Sequence, residues 1–111
     1  MTEAEFRRLV LALPGVEEGV SWNEPSYKLS GKFFTRVRAE DVSAVIQDVG
    51  QDEREALIAS APDVFHVTDH YRSYAMVLAR LGPATPEALC GLLERSWRKR
   101  APRSARRSPR R

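Results

Sequence analysis

The stretch YKLSGKFFTRVR, residues 27–38, decides the fold. Its short polar loop, Ser30-Gly31, separates two runs of β-favouring residues, with Tyr27 and Leu29 before it and Phe33, Thr35 and Val37 after it. A glycine-containing connection of this length between alternating runs reads as a β-hairpin. Successive side chains on a strand point to opposite faces, so counting by twos directs Tyr27, Leu29, Phe33, Thr35 and Val37 to the core. The same count sends Lys28, Lys32, Phe34, Arg36 and Arg38 to the other face. That face is expected to be basic, with an aromatic among its cations. Such a surface can meet successive phosphates and stack on a base, and it also has the composition of an ordinary solvated outer sheet face.

Working outward, Thr2 with Glu5 three residues on forms a capping box, and Phe6, Leu9, Val10 and Leu13 recur at helical spacing until Pro14-Gly15. The region 16–49 is rich in β-formers and punctuated by Gly19, Asn23-Glu24-Pro25 and Glu40-Asp41, which predicts three or four antiparallel strands. Asp52 is placed to cap a second helix with Leu57 and Ile58 as its apolar pair, ending at Ala61-Pro62. Val64, Phe65 and Val67 suggest a brief extended segment. A polar connection over 68–73 then leads into a strand over 74–81, closed by Gly82-Pro83. Thr85 caps a last helix with Pro86 at its first position and Leu89, Leu92, Leu93 and Trp97 as its stripe. Strands joined by short turns cannot be parallel neighbours. The expected fold is therefore α+β and two-layered, a mainly antiparallel sheet with helices packed on one face.

A chain of 111 residues has room for one domain with one modest core. Its formal charge of +3 and pI near 9.4 hint at an anionic partner, yet the charge is unevenly placed. Up to Trp97, ten Lys and Arg stand against all fifteen Asp and Glu, a net of −5. The last fourteen residues, RKRAPRSARRSPRR, hold the other eight cations and no acid. An acidic body opposes phosphate unless its cations gather on one face. Residues 1–100 are expected to form the single domain, and 101–111 a disordered basic tail able to neutralise phosphates without reading bases. No long apolar run and no secretory leader are evident, and one cysteine, Cys90, cannot make an internal disulfide, so a cytoplasmic setting away from membranes is expected.

Catalytic patterns are absent. His66 and His70, with Asp69 between them, are four apart in an extended or looped context, where their β-carbons would stand about 13 Å from each other at about 3.3 Å per residue. They read as hydrogen-bonded loop histidines, not as a metal pair. Cys90 reads as a small buried residue of the last helix. No nucleophile elbow, phosphate loop or dinucleotide fingerprint occurs. The expectation is a non-enzymatic binding module without cofactor or metal. Tyr71, Arg72 and Tyr74, on the polar connection and the strand entrance, join the candidate surface.

Three segments resemble the MmcQ/YjbR family: LALPGVEEGVSWNEPSYKLSGKFF (11–34), DVFHVTDHYRSYAMVLARL (63–81) and the helix through PEALCGLLERSWRKRAP. The likeness is carried by an aromatic and a proline before the GK hairpin and by a V-T-D-H-Y-R run before the last strand. Its motif positions are Trp22, Pro25, Tyr27, Lys28, Gly31, Lys32 and Phe33, then His66, Thr68, Asp69, His70, Tyr71 and Arg72. The resemblance implies an α+β fold akin to the type III secretion chaperones and to the "double wing" domain of the phage transcription factor MotA. It further implies DNA binding through the sheet and brings no catalytic residues. The expected nucleic-acid contacts are Lys28, Lys32, Phe34, Arg36, Arg38, Tyr71 and Arg72. The alternative is a chaperone-like module receiving a peptide or partner on the sheet. A cleft for a ligand would draw on Trp22, Tyr27, His66, His70 and Tyr74. A monomer or weak homodimer is expected.

Overall fold

The computed structural model describes residues 1–21 and 24–102, so Trp22 and the arginines beyond Pro102 lie outside the described residues. The order of elements is α1 (Glu3–Leu11), β1 (Val16–Ser21), β2 (Glu24–Leu29), β3 (Lys32–Arg38), β4 (Ser43–Gln47), α2 (Gln51–Ser60), β5 (Phe65–His66), a 3-10 turn (Asp69–Tyr71), β6 (Met76–Arg80) and α3 (Pro86–Arg100). The six strands form one antiparallel sheet in the order β1-β2-β3-β4-β6-β5. The α+β reading holds element by element.

Local chemistry explains the boundaries. Thr2 and Glu5 exchange the reciprocal hydrogen bonds of a capping box at 3.1 and 2.8 Å. The β2–β3 loop has positive φ at both Ser30 and Gly31, as a twist-matched two-residue hairpin turn requires. Thr85 caps α3 by accepting from the Ala88 N–H, and Pro86 occupies its first turn. Helix α2 differs from expectation. Its N-cap is Gly50, which has no side chain to cap with, and Asp52 sits in the first turn, where its charge faces the helix dipole. Ala101, placed in the tail by composition, is buried in the core.

The hairpin carries a bulge that corrects its facing. Tyr27 pairs with Thr35 while Lys28 pairs with Phe33, so β3 holds one residue more than β2 between those pairs. The extra residue is Phe34, which turns inward and is 1% exposed, whereas Phe33 is 41% exposed. Counting by twos therefore reverses the two phenylalanines. Thr35 and Val37 are buried as expected.

On one side of the sheet, Ala44, Ile46, Val77 and Ala79 pack with Phe6 and Val10 of α1 and with Leu89, Leu93 and Trp97 of α3. The alternate residues Val45, Met76 and Leu78 point the other way and are covered by Val67 and Tyr71. The polar connection between β5 and β6 thus folds over the face that the sequence left open. Buried Arg54 of α2 anchors it, donating to the carbonyls of Arg72 (2.9 Å), Tyr74 (2.9 Å) and Met76 (3.0 Å).

Strands β3 and β4 pair only at Val37–Ala44 and Arg38–Ser43. Beyond that point side chains replace the ladder: the Thr35 hydroxyl donates to the Val45 carbonyl at 2.6 Å, and the Gln47 amide to the carbonyls of Phe33 (3.3 Å) and Phe34 (2.8 Å). The sheet opens there.

Candidate functional site

Where β3 parts from β4, a cleft of about 380 Å³ forms under the 70–76 segment. Phe33, Tyr71 and Tyr74 wall it, Val45 and Met76 floor it, and Gln47, Asp48, His70 and Arg100 supply its polar edge. Tyr74 is 59% exposed, and its ring meets that of Tyr71 edge-on, centroids 6.3 Å apart. His70 also meets the Tyr71 ring edge-on, centroids 4.7 Å apart. Across Phe33 and Arg100 the cleft continues into a second hollow bordered by Leu29, Ser30, Lys32 and Pro102. The result is an aromatic trough with Lys32 and the Arg100–Asp48 pair at one rim.

Ion pairs decide what the basic strand face can do. Arg36 pairs with Glu24 and donates to the Tyr71 hydroxyl at 2.6 Å. Arg38 donates to Glu40 through Nε (3.2 Å) and a terminal nitrogen (2.7 Å), lies 3.8 Å from Asp41, and has its guanidinium carbon 6.0 Å from the Tyr71 ring centroid. Burial alone would lower the Arg38 pKa, but the neighbouring Glu40 and Asp41 outweigh it and hold the charge more firmly. Arg72 pairs with Asp69 at 3.2 Å on the exposed turn. Lys28 and Lys32 are exposed and make no ion pair among the described residues.

His66 lies elsewhere on the same face. One ring nitrogen, Nε2, is 3.0 Å from the Ser43 hydroxyl and 3.5 Å from Asp41. Burial, then the charges of Arg80 and Arg38, push its pKa down against the pull of Asp41, which favours a neutral ring at pH 7. Serine and aspartate meet the same nitrogen. A serine–histidine–acid relay has the acid on the opposite nitrogen, an arrangement this trio does not have. Among the described residues no three His, Cys, Asp or Glu side chains gather as a metal site would require, and no helix is long and apolar enough to cross a membrane.

A family model described as YjbR matches residues 11–99. The chain belongs to the YjbR family. Among its relatives are the uncharacterized proteins Rv2570 of Mycobacterium tuberculosis and Mb2600 of Mycobacterium bovis. Each is 33% identical over 87 residues, covering 76% of this chain and 67% of the relative. No solved structure matches.

Set on this YjbR fold, the expected site residues separate into groups. Tyr71 and Tyr74 line the cleft together with His70. Arg36 and Arg38 lie on the predicted face but are ion-paired. Phe34 is in the core, because the bulge turns it inward, and Phe33 takes the exposed place. Tyr27 is no cleft wall either: its ring packs edge-on to Phe6 at 6.1 Å on the helix side, where burial raises its pKa. His66 borders neither the aromatic cleft nor its extension, and Trp22 is outside the described residues. Cys90, expected to be buried, is exposed on α3. Sequence reasoning missed Gln47, Asp48, Met76 and Arg100. Their roles depend on residues far along the chain, and no local pattern marks them.

Proposed function

We propose that this YjbR protein is a non-enzymatic binding module that receives a peptide segment of a protein partner in the cleft between the hairpin and the 70–76 segment. One observation carries the reading. Of the guanidiniums that would meet phosphates, Arg36 is locked between Glu24 and the Tyr71 hydroxyl and Arg38 lies deep beside Asp41 with only the exposed Glu40 on it, while the exposed groups beside them are the rings of Phe33 and Tyr74. A phosphodiester track needs a row of available cations, which this face does not offer, whereas an aromatic trough with Lys32 at its rim suits an apolar side chain with an acidic neighbour. A cytoplasmic setting, where the lone thiol of Cys90 stays reduced, goes with this reading.

DNA binding keeps one specific support. Lys28 and Lys32 are exposed without ion pairs among the described residues, and the sequence places eight cations in 98–111. On this second reading the tail supplies affinity and the sheet contributes little.

Selecting peptides on the full chain by display, then measuring the affinity of the winners, tests the first reading. Phe33→Ala and Tyr74→Ala should each weaken a selected peptide by about tenfold or more, as truncated aromatic anchors do. Selected peptides indifferent to both changes, or salt-sensitive oligonucleotide binding by a chain ending at Pro102, would sink it.

A further inference from the structure

Tyr71 and His70 separate the aromatic cleft from a smaller recess of about 180 Å³, bordered also by Arg36, Arg38, Glu40 and Thr68. Its two guanidiniums are held differently. Arg36 is fixed between Glu24, which is itself largely buried, and the Tyr71 hydroxyl. Arg38 directs two N–H groups onto a single oxygen of Glu40, and the exposures of the pair are unequal: the Arg38 side chain is 12% exposed, that of Glu40 76%. The receiver is built into the fold, under the Tyr71 ring and beside Asp41. The carboxylate on it reaches in from the β3–β4 turn and stands in water. An ion pair with so exposed an acid contributes little and is easily given up.

We propose that Glu40 is a displaceable stand-in, and that Arg38 takes in its place a carboxylate of the protein partner, from an aspartate, a glutamate or a chain terminus. The inference rests on the peptide reading of this face and extends it: the partner segment carries an acidic group next to its apolar anchor, because Tyr71 borders both hollows. The guanidinium fork matches the two oxygens of a carboxylate better than it matches the single oxygen it now holds. Thr68 and His70 line the same recess and can hydrogen-bond the incoming group. Charge favours carboxylate over a phosphate dianion. Around the recess Arg36 and Arg38 face Glu24, Glu40 and Asp41, with the Arg72–Asp69 pair outside. Replacing Glu40 by one carboxylate restores the charge state the fold already holds, whereas a phosphate dianion exceeds it.

The test is an NMR titration of the full chain with sodium acetate and, separately, sodium phosphate, each against sodium chloride at matched ionic strength. Acetate should shift Arg38 Nε–H, Thr68, His70 and Tyr71 saturably, with a midpoint at least threefold lower in Glu40→Ala than in the wild type. Arg38→Lys should remove the saturable component. Should that variant fail to fold, the exposed Glu40→Ala change still decides. An unchanged midpoint in Glu40→Ala overturns the proposal, and so does phosphate binding more tightly than acetate, which would point to a phosphoryl partner. Phe33→Ala should leave the acetate midpoint where it is. Peptides indifferent to Phe33→Ala, with acetate binding intact, would therefore count against the cleft reading alone.

Discussion

Phe33 and Phe34 are adjacent in sequence and opposite in fate. Phe34 fills the core between sheet and helices, so Phe34→Ala should cost about 3–5 kcal/mol in urea unfolding. Phe33→Ala removes a ring already half in water and should cost about 1 kcal/mol or less. Equal losses would mean the bulge is misplaced. The sequence shows two consecutive phenylalanines but not which one the bulge absorbs, because period-two counting shifts by one at an inserted residue. Arg54 was equally hidden. It lies on α2, and its three carbonyl partners are 18 to 22 residues away. Arg54→Met keeps the aliphatic stem but leaves those carbonyls unpaired. Stability should fall by about 2 kcal/mol or more, with amide exchange accelerating first over residues 72–76.

At the scale of elements, the tether between β4 and α3 is electrostatic. Asp48, at φ 66, follows β4 and accepts from Ser96 (2.8 Å) and from Arg100 (2.7 and 3.0 Å), with Lys99 at 3.9 Å. Burial would raise its pKa, but the Arg100 and Ser96 hydrogen bonds and the charges of Arg100 and Lys99 outweigh it, leaving the carboxyl below its ordinary 3.8. The folded value lies below the unfolded one. Its contribution is therefore complete above about pH 4 and fades as acid carries the pH through the lower folded value. Asp48→Asn should lower stability at pH 7 and flatten the acid limb of a stability–pH curve. Some slope should remain, because Arg95 also holds the Glu53 carboxyl down. Val42, a β-branched residue at φ 50, strains the β3–β4 turn, so Val42→Gly should raise the melting temperature or leave it level, despite the flexibility glycine adds to the unfolded chain. The caps of α1 and α3 were legible because they lie within three residues of their partners. The start of α2 was not, because Gly50 caps without a side chain.

For the whole molecule, charge separates body from tail. Residues 103–111 include five arginines, so removing them should lower the magnitude of the salt dependence of oligonucleotide binding by about 4 in the log–log slope. Anisotropy across a sodium chloride series measures it; a slope that survives truncation would return the phosphate contacts to the sheet. The antiparallel sheet with helices on one side followed from its short connections. The roof over the other side did not, because the 68–73 connection has no apolar period, and its cover is supplied by Val67, Tyr71 and the remote Arg54. The parting of β3 from β4 has a mechanical meaning. Among the described residues, two residue pairs and the side-chain bridges from Thr35 and Gln47 are the only sheet hydrogen bonding between a three-stranded ribbon and the rest of the sheet. The cleft therefore straddles a seam, with Phe33 on one plate and Tyr74 on the other. A ligand wedged there would bridge the two sides of the seam, adding to the shared helix-side core that already joins them.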